Sequence, residues 1–236
     1  MNKFIIEKSF WDIFPEANVG VLILKNVNNM RETSNNIKKL LEESNKEAKK
    51  HLTEEQFSHN PVIAVWREAY QKFKTKKGVR SSIEALLKRV EKGSGISSIN
   101  PLVDIYNSAS LKYGVPCGAE DIETFEGDLI LGVTEGNDEF YALGDEANSP
   151  TLEGEICYRD DKGAVCRCFN WRDGQRTMIT ENTKKAYVVI EYVNAEKNKD
   201  IEKALEMIAY YAEKELGAEK SALKILNINE NTIDLI

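Results

Sequence analysis

A single carboxylate interrupts what is otherwise an apolar strand. In the run Ala186 to Val193, AYVVIEYV, a period of two places Tyr187, Val189, Glu191 and Val193 on one face and Ala186, Val188, Ile190 and Tyr192 on the other. Burying an acid there costs free energy unless it is paired or hydrogen-bonded, and an elevated pKa or a bound cationic group is the natural response. Two readings stay open: a salt-bridged acid near a strand end, or an acid kept for a ligand. Asn107 poses a similar question. It stands one helical turn from Val103 and from Leu111, so it borders an inward face, and a buried amide must find partners. Pinning the loop from Gly114 to Asp121 would serve a structural role and a functional one alike.

A second concentration of chemistry lies at Arg167, Asn170, Trp171, Arg172, Asp173 and Thr177. An indole that stacks on a terminal base beside a guanidinium that contacts phosphate suits a single-stranded nucleic-acid end. The structural alternative is an Arg172–Asp173 pair beside a buried Trp171. Cys166 and Cys168 share one side of an expected strand, yet no second pair stands at metal-ligand spacing, and His51 and His59 lie far off in the sequence. The sequence therefore calls for no metal and no cofactor. It offers no Ser-His-Asp or Cys-His arrangement and no glycine-rich phosphate cradle.

The net charge of −7 argues against a protein that coats nucleic acid by bulk electrostatics, and no DNA partner is expected. A local basic run remains: Lys72, Lys74, Lys76, Lys77 and Arg80, followed by Lys88, Arg89 and Lys92. It reads either as a solvated linker and helix end or as a dock for an RNA backbone. With 236 residues, 42% of them hydrophobic, the chain can bury a sizeable core. The start lacks a basic segment followed by an apolar run, and no window is apolar enough to span a bilayer, so a cytoplasmic protein without a membrane partner is expected. The four cysteines, Cys117, Cys157, Cys166 and Cys168, read as buried thiols.

The elements that must position these groups follow from periodicity and caps. Val19 to Leu24 reads as a strand and Thr33 to His51 as a helix; Asn60 with Pro61 opens another helix, and Ser81 with Glu84 has capping-box spacing before a third. Asn100 and Pro101 start a helix that Gly114 ends. Short strands follow at Leu129 to Val133, Glu139 to Leu143, Glu155 to Arg159, Ala164 to Phe169 and Ala186 to Val193. Asp200 should cap a last long helix closed by Gly217, and Ala222 to Leu226 returns as a strand. This order predicts an α+β class with a central mixed β-sheet sandwich flanked by helices. Residues 1–77 are expected as an N-terminal α/β subregion packed on a main unit of residues 78–236.

From about Arg80 to Glu191, the ordered elements SSIEALLKRV, INPLVDIYN, YGVPCGAED, EGDLILGV, GEICYRD and CRCFNWRDG resemble the B3/B4 domain. In the bacterial phenylalanyl-tRNA synthetase beta subunit that domain lies beside the catalytic core and hydrolyses wrongly charged tRNA. Two departures mark this chain. Gly118 stands where the synthetase domain has a histidine, and NWRDG stands where it has paired glycines, so the form is similar to that of freestanding B3/B4 proteins.

The resemblance implies a trans-acting aminoacyl-tRNA deacylase whose partner is the acceptor end of a mischarged tRNA. Glu191 would hold the amino acid, Asn107 would brace the loop at Cys117 and Gly118, and Arg172 would fix phosphate. Arg167, Asn170, Trp171, Asp173 and Thr177 would complete the substrate site. Two rivals stay open: a noncatalytic module that grips tRNA or a free amino acid, and a hydrolase of small amino-acid esters.

Overall fold

The computed structural model describes residues 2–29 and 32–235. The chain begins with strand β1 (Lys3–Ile6), a single turn of helix α1 (Lys8–Trp11) and the long strand β2 (Asn18–Lys25). Helices α2 (Asn35–Glu47), α3 (Pro61–Ala69), α4 (Ser82–Glu91) and α5 (Pro101–Tyr113) follow. Strands β3 (Cys117–Asp121), β4 (Leu129–Val133), β5 (Ile156–Arg159), β6 (Ala164–Arg167), β7 (Arg172–Asp173) and β8 (Ala186–Tyr192) come next. Helix α6 (Asn198–Leu216) and strands β9 (Glu219–Leu226) and β10 (Thr232–Asp234) complete the chain.

The strands form a six-stranded sheet, β10-β1-β4-β5-β6-β7, and a four-stranded sheet, β3-β8-β2-β9. The larger sheet is mixed because β1 and β4 run parallel, whereas β2, β3, β8 and β9 pair antiparallel throughout. The class is thus α+β, as expected. The N-terminal stretch does more than pack on the main unit: β1 lies between β10 and β4, and β2 lies between β8 and β9, so residues before 78 supply an inner strand to each sheet.

Strand periodicity assigns the faces. Opposite residues in an antiparallel pair share a face, so Val19, Val21 and Ile23 of β2 lie beside Glu191, Val189 and Tyr187 of β8. That face meets the larger sheet, where the Phe4 ring stands 5.2 Å from Tyr187 and 5.8 Å from Tyr158. The other face carries Gly20, Leu22 and Ile190 and lies under α5 and α6, with α2 packed against α5. Gly20 permits the approach of α6: a Cβ there would stand 2.4 Å from Ile201 Cγ2 and 2.8 Å from Leu205 Cδ1.

Caps follow the sequence signals with instructive departures. Asn100 Oδ1 accepts from Val103 N at 3.1 Å, and Gly114 closes α5 in the left-handed region at φ 66°. Ser81 Oγ accepts from Glu84 N at 3.3 Å, but the Glu84 carboxylate pairs with Arg67 at 2.7 Å instead of completing the box, which ties α4 to α3. Asn60 makes no cap; its Oδ1 accepts from Thr53 N and Glu54 N. Asp200 lies inside the first turn of α6, paired with Lys197 at 2.7 Å, while Asn194 caps the short 3-10 turn before it.

The segment expected as a strand at Glu139 to Leu143 is instead irregular, with one isolated bridge from Ala142 to Gly174 and single backbone hydrogen bonds from Ala164 N and Gln175 N. Asp138 accepts from the hydroxyls of Thr134 and Thr151, and Asn137 takes a positive φ, so the chain turns before a ladder can form. Among the described residues no helix is long and apolar enough to cross a membrane.

The contact at Gly20 gives a direct test of the helix-on-sheet packing. Gly20→Ala should force α6 away from β2 and lower unfolding free energy by about 1–3 kcal/mol, read from urea denaturation midpoints.

Candidate functional site

Between the two sheets lies a partly enclosed cavity whose empty volume, open mouth included, is about 440 Å³. Strand β8 points Tyr187, Val189 and Glu191 into it, and β3 adds Gly118 and Glu120 opposite Val189 and Tyr187. Tyr158 of β5 closes the far side. Glu191 is 1% exposed, and its Oε1 accepts from the Tyr158 hydroxyl at 2.7 Å. Burial pushes its pKa up to about 8; the Tyr158 bond opposes that rise and the charge of Asp173 adds to it.

Two further acids face the same space. Glu120 is pushed well above the ordinary carboxylate range, first by burial and then by Asp173. Asp173, on β7, is raised by burial as well. No Lys, Arg or His lines the cavity. Ser82 Oγ, Glu120 Oε2, Asn170 Nδ2, Tyr187 OH and Glu191 Oε2 all border it, buried and without a hydrogen bond of ordinary geometry, although Asn170 is near enough to Glu191, and Thr177 to Glu120, to hold each acid's pKa down somewhat. An unmade hydrogen bond of this kind costs about 1–3 kcal/mol per group, so their convergence points to a polar occupant.

The segment after β6 sets much of this wall. Cys168 and Phe169 follow one another at φ 47° and 66°, a left-handed pair costing about 1–3 kcal/mol per residue. Packing imposes it: the buried Phe169 ring sits against Phe10, Phe14 and Trp66, and its backbone N–H donates to Ile156 O at 2.8 Å. The reversal ends the strand expected to run through Phe169, removes Cys168 from the face of Cys166, and turns Asn170, Trp171 and Asp173 into the cavity. The backbone of Ser82, at the start of α4, donates to Asn170 O at 3.1 Å, and the Tyr70 hydroxyl donates to Asn170 Oδ1 at 3.0 Å.

Of the residues the sequence singles out, Glu191, Cys117, Gly118, Asn170, Trp171 and Asp173 line this one cavity. Others do not. Arg167 is 1% exposed and committed to Glu155, its Nε donating at 2.9 Å and its Nη1 reaching Ser149 O at 2.6 Å, so it holds β6 to the loop before β5 and has no donor for a substrate. Thr177 is fully buried and is not part of the lining, its hydroxyl near enough to Glu120 to oppose the rise of that acid's pKa. Asn107 is buried on α5 outside the cavity, and the turn it is expected to pin is held by Ser110, whose hydroxyl donates to Val115 O at 2.6 Å. Arg172 lies outside, 5.6 Å over the Trp171 ring and 3.2 Å from Asp145.

Sequence reasoning misses Ser82, Glu120 and Tyr158 as wall residues. Glu120 had a legible signal, since it stands two residues after Gly118 on the same strand face. Tyr158 had none, because its place depends on how the sheets stack. Neither histidine lines the cavity: His51 packs its ring against Gly114, and burial holds its pKa below the ordinary value.

The raised carboxyl of Glu191 has a consequence for stability. Between pH 4.5, its ordinary value, and about 8, the folded protein keeps a proton that the unfolded chain has released. Stability contributed by that proton is full below this window and is lost as pH rises through it, with Glu120 and Asp173 acting in the same direction. Melting temperature should therefore fall across the window in the wild type and fall less in Glu191→Gln. Parallel melting curves for the two at every pH would refute the burial of an ionisable group there.

The B3/4 domain model matches residues 65–224, well over half of the chain. The phenylalanine–tRNA ligase beta subunit of Fusobacterium nucleatum is 30% identical over 118 residues, which is 50% of this chain and 14% of that subunit. The beta subunit of Psychrobacter arcticus is 30% identical over 101 residues, 43% of this chain and 12% of that protein. The matched stretch is thus a small part of both relatives. An N-terminal fragment of the phenylalanyl-tRNA synthetase beta subunit from Pyrococcus horikoshii shares the fold with a TM-score of 0.51 at 11% identity, covering 98% of this chain and 53% of the fragment. With a family match of that length laid over the two-sheet body and its acid-lined cavity, the chain belongs to the B3/4 domain family.

Proposed function

We propose that the chain is a trans-acting aminoacyl-tRNA deacylase, which hydrolyses the ester joining a wrong amino acid to the end of a tRNA. The observation that carries this reading is the cavity itself: three acids, several unpartnered polar atoms and no cation in its wall. A free amino acid would bring a carboxylate among carboxyl groups. An amino acid esterified to tRNA brings an α-ammonium and a masked carboxyl, the charge pattern this wall accepts.

The chemistry asked of the site is modest. A water oxygen attacks the ester carbonyl, the bond from carbonyl carbon to the tRNA oxygen breaks, that oxygen takes one proton of the water to become a hydroxyl, and the amino acid leaves as its carboxylate with the other proton released to solvent. Glu191, which titrates near 8, becomes a better partner for the α-ammonium as it ionises, and a bound cation would promote that ionisation. Tyr187 OH, Asn170 Nδ2 and Ser82 Oγ are uncommitted donors that could meet the developing oxyanion. Cys117 and Cys166 also face this space, but burial pushes both thiols well above the ordinary range, so neither supplies a thiolate nucleophile. The tRNA's neighbouring terminal hydroxyl is left to orient the water, and Trp171, which lines the cavity, with Arg172 beside it on the outside, would receive the terminal nucleotide.

A panel of mischarged tRNAs tests this reading directly. Wild type should release at least one amino acid faster than the spontaneous rate, and Glu191→Gln should slow that release by about 10- to 100-fold, the worth of one charged hydrogen bond. Tight binding without release would make the chain a noncatalytic module; equal hydrolysis of a small aminoacyl ester without RNA would make it a small-ester hydrolase. Gly118 offers a second check, because a Cβ there meets only Val189 Cγ1 at 3.8 Å. Gly118→Leu should fold with a nearly unchanged melting temperature yet fill the cavity and raise KM for bulky aminoacyl groups. Unaltered kinetics would place the substrate elsewhere.

A further inference from the structure

Beside the cavity runs an open trough, of whose lining the hydrolytic reading uses only Trp171 and Arg172. Lys76, Lys77 and Arg80 line it from the linker before α4, and Lys88, Arg89 and Lys92 line it from the helix and its end. Trp171 and Arg172 form the wall it shares with the cavity side of the molecule, since Trp171 borders both hollows. On α4 the positions Ala85, Lys88, Arg89 and Lys92 fall at i, i+3, i+4 and i+7, one stripe opposite the buried Ile83, Leu87 and Val90. Ala85 has the smallest side chain of the stripe and leaves room for a chain to approach.

Clustering these cations opposes local stability. Lys88 and Lys92 stand at i, i+4, a spacing at which like charges repel. Attraction to the helix C-terminus explains cations in the last turn, but not the linker lysines that face the same trough. No Asp or Glu lines it, although the chain carries 39 acidic residues against 32 basic ones. Lys88 is paired with Glu91 and Arg172 with Asp145, whereas Lys77, Arg89 and Lys92 are exposed and make no ion pair among the described residues. The stretch from Ala85 to Lys92 rises about 10 Å along the helix. That length suits a short run of consecutive backbone phosphates.

We infer that this trough binds the phosphate backbone of a single-stranded RNA 3′ end and that Trp171 is the corner at which the last nucleotide leaves the trough for the cavity. The inference deepens the deacylase reading and rests on it for the direction of the strand, but its grip on RNA is a property of the trough alone. An acidic protein segment would find the cations too, yet it would have no use for an indole at the junction of the two hollows, whereas a base stacks there.

The test is RNA binding by the full chain, measured as a function of salt with uncharged tRNA and with the same tRNA lacking its unpaired 3′-terminal nucleotides. Lys77→Gln, Arg89→Gln and Lys92→Gln combined should keep the wild-type melting temperature. The triple variant should weaken tRNA binding by about 10- to 100-fold and reduce the slope of log K against log salt by about 2. Removing the unpaired nucleotides should weaken wild-type binding by a similar factor and leave the triple variant almost unaffected. Wild-type affinity and slope in the triple variant would overturn the inference, as would equal binding of the shortened tRNA by the wild type or competition by polyglutamate as strong as that by RNA. A wild type that grips RNA through the trough yet releases no amino acid would support the trough and sink only the deacylase reading.

Discussion

A carboxyl group buried between two sheets is the constraint on which the site depends. Glu191 lies on an inner strand, opposite Val19, with one oxygen bonded to the Tyr158 hydroxyl and the other unpartnered. No basic residue is within the wall to neutralise it. The fold therefore bears the desolvation of an acid and offers it the cheapest relief, which is to keep its proton to about pH 8. A buried acid treated in this way is poised for a cationic visitor, because the energy withheld from the empty state is returned when a charge of opposite sign enters.

The same logic extends to the wall around it. Several buried charges away from the cavity are well answered: Arg167 by Glu155 and Ser149, Asp104 by Thr33, Ser98 and the Ile99 amide. Asp160 likewise takes Arg176 and three backbone amides. Among the described residues, five of the ten buried side-chain atoms left without a partner border the one cavity, and the other five are spread elsewhere. The left-handed turn at Cys168 and Phe169 belongs to that pattern. Its strain is sustained by the aromatic packing of Phe169, and what it achieves is the reversal that brings Asn170, Trp171 and Asp173 to the cavity.

The cavity and the basic trough complement one another electrostatically. One is acidic, buried and suited to an ammonium; the other is cationic, open and suited to phosphate, and Trp171 stands between them. A chain that is acidic overall thus gathers a cluster of positive charge on the surface beside its three-acid cavity. Such a division suits a ligand that is anionic along its length and cationic at its tip.

Much of this was written locally. Glu191 announced itself by breaking a period of two, Asn100 with Pro101 and Gly114 bounded α5, and the strand at Leu129–Val133 was legible from its apolar run, because caps and alternation are properties of neighbouring residues. The order of signature elements also pointed to the family before any contact was known. Long-range geometry was not available in that way. Arg167 looked like a surface ligand and is a buried partner of Glu155, since the sequence cannot say which acid will lie opposite a strand twelve residues on. The spacing of Cys166 and Cys168 suggested a shared face until the packing of Phe169 forced a reversal. Glu120 and Tyr158 became wall residues only when β3 paired with β8 and the two sheets closed over them. What the sequence by itself determined was which side chains each element presents, because periodicity and capping act within a few residues. What the tertiary structure alone decided was which of those side chains meet and which remain unpartnered, because that depends on the stacking of strands far apart in the chain.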